Sequence, residues 1–235
     1  MGQVGRVGKA AACVLLTLAG LACGPQPAPA AEPARSVDAP ASQRVRLFPP
    51  QDLGFFDAPD RDEWGKPELV LDELSIADGA VVAELGAGGG WFTVRLAARV
   101  GPNGMVYAED IQPEMIEVIR RRVQNERLQN VSVILGTPRD PRLPGGLDAA
   151  LIAHTYAELE DPIALLQNVA AALKPQGKIG ILDFVPGGGG PGPDAVERVN
   201  PDAVVQTAAA AGLKLIARQA AGPFQFLLIF GKAAS

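Results

Sequence analysis

Val81-Val82-Ala83-Glu84-Leu85-Gly86-Ala87-Gly88-Gly89-Gly90-Trp91 is an apolar run that closes on an acid and passes into glycines spaced two apart. An apolar run of this length suits a strand buried on both faces. Glycines at its end admit positive φ and let a ligand approach the backbone without meeting a Cβ. The pattern then predicts a helix from about Trp91 to Arg99, whose first N–H groups lack partners within the helix and point at whatever the loop holds. Strand, glycine turn and helix in that order describe a nucleotide-binding loop.

Spacing removes two versions of such a loop. A G-x-G-x-x-G fingerprint starting at Gly86 needs its third glycine where Trp91 stands, and a phosphate-binding P-loop needs Gly-Lys-Ser/Thr, with no lysine nearby. What remains is acid-x-Gly-x-Gly-x-Gly over Glu84, Gly86, Gly88 and Gly90. About twenty residues on, Gly104-Met105-Val106-Tyr107-Ala108-Glu109-Asp110 repeats the design of an apolar run ending in acid, followed by Ile111-Gln112-Pro113-Glu114-Met115. A carboxylate beside the glycine loop accepts hydrogen bonds from both vicinal hydroxyls of a ribose, and Asp110 is the candidate. Its other use is to cap the helix that starts near Pro113.

These motifs resemble those of class I S-adenosylmethionine-dependent methyltransferases. The resemblance implies that Glu84, Gly86, Ala87, Gly88 and Gly90 form the cofactor loop, and that Asp110 and Ile111 hold the ribose end, with Glu109 one residue early. A third strand, Asn130 to Gly136, leads to Thr137, where many relatives carry an acid for the adenine amino group; a hydroxyl still accepts a hydrogen bond, and Asp140 lies close. A fourth strand, Leu147 to Ala153, precedes a helix over about Pro162 to Leu173. The stop Lys174-Pro175-Gln176-Gly177 matches the family's Leu-Lys-Pro-x-Gly turn, and Lys178 to Phe184 is a fifth strand.

The resemblance covers about Phe55 to Lys232. Arg61-Asp62-x-Trp64-x-x-Pro67 and Asp140-Pro141-Arg142-Leu143-Pro144 look like a subgroup of bacterial methyltransferases that are often exported. Alternating strands and helices argue a doubly wound α/β sheet. A chain of 235 residues with 48% hydrophobic residues can bury such a core in one domain. The family implies seven strands in the order 3-2-1-4-5-7-6, the last antiparallel, supplied by Leu213 to Arg218 and Phe224 to Phe230.

The N-terminus reads separately. Arg6 and Lys9 precede an uncharged apolar stretch from Ala10 to Ala22, then Cys23, as in a secretory signal over residues 1–23; the stretch is short for a membrane span. Ala19-Gly20-Leu21-Ala22-Cys23 also resembles a lipoprotein signal, in which Cys23 is lipidated and tethers the protein to a membrane. Residues 24–50 are rich in Pro and Ala and read as a disordered tether, leaving 51–235 as the methyltransferase domain. The expected location is the periplasm or cell envelope. S-adenosylmethionine is made in the cytoplasm, so an exported enzyme needs imported cofactor or another ligand.

Composition excludes several chemistries. Cys13 and Cys23 are the two cysteines, both in the leader, which removes thiol catalysis and disulfides from the domain; His154 as the one histidine argues against a His/Cys metal site as well. Without Arg6 and Lys9 the chain holds 19 basic against 26 acidic side chains, a poor match for nucleic acid. Arg120-Arg121-Arg122 reads as a solvated helix face, with a phospholipid contact as the alternative.

Methyl transfer from a sulfonium asks an enzyme mainly to orient the acceptor and, where required, to take a proton. The loop His154-Thr155-Tyr156-Ala157-Glu158 faces the methyl group in this fold; His154 is a candidate base and Tyr156 a candidate orienting group, each with a structural alternative. Relatives often carry an acid before this loop and a histidine pair after the tyrosine, where this chain has Ala153 and Ala157-Glu158, so the resemblance does not carry the family's base over to these positions. Arg61 to Pro67 is either a lid or a salt-bridged cap, and the glycine-rich run Pro186 to Pro193 either a gate or an insertion. The sequence therefore reads as a methyltransferase acting on a small molecule. The alternatives are a binding module that lost turnover and, against Trp91, a nicotinamide-dependent oxidoreductase.

Overall fold

A computed structural model describes residues 47–187 and 189–233. The leader, Cys23 and all but the last residues of the tether lie outside the described residues. Strand β1 (Val81–Leu85) runs parallel between β2 (Met105–Asp110) and β4 (Leu147–Ala153). Outside these lie β3 (Val131–Leu135) and β5 (Leu173–Phe184), then β7 (Gln225–Lys232) and β6 (Leu213–Ala220), giving the order β3-β2-β1-β4-β5-β7-β6. β7 is antiparallel to both of its neighbours, as expected.

The helices are α1 (Arg61–Gly65), α2 (Pro67–Glu73), α3 (Trp91–Val100), α4 (Pro113–Asn125), α5 (Pro162–Ala172) and α6 (Pro201–Ala210). Proline opens α4, α5 and α6, where its missing N–H costs nothing, and Asp161 and Asn200 cap the last two through Ala164 N–H and Asp202 N–H. Alternate residues of the strands feed two cores. Leu85, Ile152, Ile181 and Leu228 pack on α5 and α6, whereas Val82, Leu151 and Leu182 pack on α2 and α3.

One feature departs from the expected pattern. The Lys174-to-Gly177 stop lies inside β5: Leu147 pairs with Leu173 and Ala149 with Lys178, so the extra residues bulge. Leu173 is 4% exposed, and its burial beside Leu147 draws the strand past the proline. At the opposite end of β1, Asp148 accepts the Val81 N–H at 2.9 Å and the Lys174 ammonium at 2.7 Å, tying β1, β4 and β5 together below the site.

Candidate functional site

The C-terminal ends of β1, β2 and β4 meet at the glycine loop. Gly86, Gly88 and Gly90 have φ of 65°, 52° and 76°, the left-handed region that side chains resist. Asp110 secures the loop from the end of β2. Its Oδ2 accepts the Gly88 N–H at 3.0 Å and its Oδ1 the Gln112 N–H at 2.9 Å. Burial pushes the Asp110 carboxyl above the ordinary aspartate value, and the N–H groups of Gln112, Gly88 and Ile111 pull it back. Asp110 thus holds the loop and does not cap α4, which has no side-chain cap. Beneath the loop, Glu84 accepts the Thr93 hydroxyl; burial raises its carboxyl to about 7, against that hydrogen bond and the charges of Arg61 and Arg122.

Arg122 corrects the reading of the arginine run. Arg120 does pair with Glu117 on the surface, but Arg122 donates to the Gly89 carbonyl at 2.8 Å. Ile119 is buried, and a residue three further on shares its side of the helix, so periodicity separates Arg122 from the solvated face. The last residues of the tether are engaged as well. Phe48 donates its N–H to Glu158 Oε2 at 2.8 Å and accepts from the Gln112 amide at 3.1 Å, while Leu53 rests over Gly88 and Gly89. No periodicity marks this segment, because these hydrogen bonds are made by backbone groups.

Arg61, Asp62 and Trp64 form a packed wall. The Arg61 guanidinium lies 4.0 Å from the Trp91 ring centre and Arg95 3.6 Å from it, so Trp91 meets two cations, and Asp62 pairs with Arg95. Trp64 packs on Phe184 and His154. His154 is partly buried: its ring stacks on Phe184 with centres 4.7 Å apart, its Nε2 meets the Gln225 amide, and its backbone N–H donates to Leu182 O at 2.8 Å. Burial, then the Arg61 charge, lowers it to about 3, so the imidazole is neutral throughout the physiological range. These contacts join β4, β5 and β7 and are those of a structural residue. Tyr156 opens a short 3-10 helix and belongs to the α5–α6 core. Burial raises its phenol.

Thr137 is committed locally. Its hydroxyl accepts the Asp140 N–H and donates to the Asp140 carbonyl, both at 3.0 Å, closing the turn after β3. In the glycine-rich run, the Arg198 guanidinium donates to the carbonyls of Pro193, Val185, Pro191 and Gly189, which fastens the segment. Among the described residues, no group of His, Cys, Asp and Glu is arranged to hold a metal, and no helix is long and apolar enough to cross a membrane.

The donor set fits S-adenosylmethionine. Asp110 stands where ribose hydroxyls need an acceptor. α3 begins without a side-chain cap or an acid in its first turn, leaving its N–H groups for a carboxylate. The strand order and the glycine loop are those of the Rossmann-like fold of class I S-adenosylmethionine-dependent methyltransferases.

Comparison with known proteins agrees. A family profile described as "Methyltransferase domain" matches residues 82–177, from β1 into β5. The chain is 40% identical over 68 residues to protein-L-isoaspartate O-methyltransferase of Methanothrix thermoacetophila, covering 29% of this chain and 32% of that one. It is 32% identical over 118 residues to nocamycin O-methyltransferase of Saccharothrix syringae, covering 50% and 42%. It thus spans about a third to two fifths of these curated relatives. A solved SAM-dependent methyltransferase from Aquifex aeolicus superposes with a TM-score of 0.75 at 29% identity, covering 78% of this chain and 98% of that one.

Proposed function

We propose that the protein transfers a methyl group from S-adenosylmethionine to a small-molecule acceptor. The observation that carries this reading is Asp110, whose two oxygens face the glycine loop and the Ile111-Gln112 turn at the ribose position. Bound there, the cofactor supplies a methyl group already activated on a sulfonium. Asp110 would orient its ribose, the N–H groups at the start of α3 its carboxylate, and Leu53 with Phe48 would keep water from the loop. Glu158, raised to about 7 mainly by burial, is the group in the loop after β4 suited to take a proton from a hydroxyl acceptor. The similarity to nocamycin O-methyltransferase supports a small acceptor.

The leader supports a further proposal, export with a lipid anchor at Cys23, as in the exported subgroup. The activity is tested by incubating the full chain with methyl-labelled S-adenosylmethionine and a panel of phenols, quinols and amines. Label transfer that Asp110→Ala abolishes supports the enzyme. Tight cofactor binding without transfer to any acceptor would favour the binding module.

A further inference from the structure

β2 ends in two acids whose side chains leave on opposite faces of the sheet. Asp110 turns to the glycine loop, whereas Glu109, in register with Leu85, shares the face of the α5–α6 core. Glu109 is 3% exposed, and its Oε1 accepts no hydrogen bond among the described residues. The carboxyl spans two loops. The Gly86 N–H favours its charged form from one side, and on the other a Cβ at Gly136 would overlap Oε1. Gly136 therefore makes room for this oxygen, and a buried polar atom without a partner calls for one.

A nucleoside held with its ribose on Asp110 and its amino-acid tail along the glycine loop would direct its base toward the end of β3. There the Thr137 hydroxyl is spent on the Asp140 turn. We propose that the Glu109 carboxyl recognises the adenine edge of the cofactor, accepting from the exocyclic amino group with one oxygen and donating to the ring nitrogen N1 through the other. The proposal rests on the S-adenosylmethionine reading above. The charged groups that act on Glu109 are Asp110 on its own strand and Asp140 on the loop after β3, both acidic. Burial, then Asp110, pushes Glu109 up to about 8, so at neutral pH it is a carboxylic acid with both a donor and an acceptor to offer.

The test is calorimetric titration of the full chain with S-adenosylhomocysteine between pH 6.5 and 9.5, for the native protein, Glu109→Gln and Glu109→Leu. Binding through the neutral acid stays level to about pH 8 and then weakens about tenfold per pH unit. Glu109→Gln keeps a donor and an acceptor but cannot ionise. It should bind like the native protein at pH 7 and lose that decline, while Glu109→Leu, folded by circular dichroism, binds at least about tenfold more weakly. A native profile that matches Glu109→Gln at high pH overturns the proposal, whether or not the leucine variant folds. So does unchanged affinity in a folded Glu109→Leu. No binding by the native protein at pH 7 would overturn the cofactor reading itself, a result distinct from binding without pH dependence.

Discussion

Gly86→Ala separates two reasons for a glycine at the first loop position. The backbone there has φ of 65°, and a Cβ would stand 2.5 Å from Thr155 Oγ1 and 2.8 Å from Thr155 Cβ. Alanine in the left-handed region costs about 1–2 kcal/mol. Thr155 cannot yield by rotating, because its own Cβ is in the way. Moving it gives up the bond of its one hydroxyl proton, shared between Ala153 O at 3.0 Å and Gly86 O at 3.3 Å, about 0.5–1.5 kcal/mol. The total is about 2.5 kcal/mol. In a Thr155→Gly background the obstruction is gone and only the conformational cost of about 1–2 kcal/mol should remain. Gly88→Ala, with φ of 52° and Leu53 at a comfortable 3.7 Å, should likewise cost only that much. Urea denaturation of the single and double variants measures these differences. Equal costs of Gly86→Ala with and without Thr155 would refute the argument.

Stability of the unliganded protein should fall as pH rises from about 5 to 8. Burial raises Glu84 and Glu158 to about 7, Glu109 to about 8 and Asp183 to about 6, so the folded state holds protons that the unfolded state has released, and their stabilisation is lost as pH passes through the folded values. His154, lowered to about 3, acts oppositely, its contribution fading as pH drops below about 6.5 toward 3. Urea midpoints that rise steadily from pH 5 to 8 would contradict this balance, and Glu84→Gln should flatten the decline. Arg198→Ala should release the glycine-rich run, seen as faster amide exchange from Val185 to Pro193 with the sheet still protected. Trp91→Leu removes both cation contacts, each about 0.5–2 kcal/mol, and should lower stability more than Arg95→Ala, measured in the same titration.

The elements that a sequence announces are those whose reasons are local. β1, its glycine turn and α3 follow from apolar run, glycine spacing and helix phase, and the strand order follows from the family these motifs resemble. Asp110 is legible because a strand-terminal acid beside such a loop has one evident use. Glu109 is not, since the room for its carboxyl comes from Gly136, just past the end of β3. Arg122 hides in a basic run, although its phase relative to Ile119 distinguishes it from Arg120. The packing of His154 depends on Trp64, Phe184 and Gln225, from α1, β5 and β7, a convergence that only the folded chain displays. The bulge in β5 likewise arises from Leu173 pairing with Leu147 across the sheet.

The most direct test of the central claim is calorimetric titration of the full chain with S-adenosylmethionine and S-adenosylhomocysteine, with NADH as a control, repeated on Asp110→Ala. Saturable one-to-one binding of the sulfonium and its product, none of NADH, and loss of both in a folded Asp110→Ala are the predicted results. Binding that survives Asp110→Ala unchanged, or no binding of either ligand by the native protein, would contradict the account.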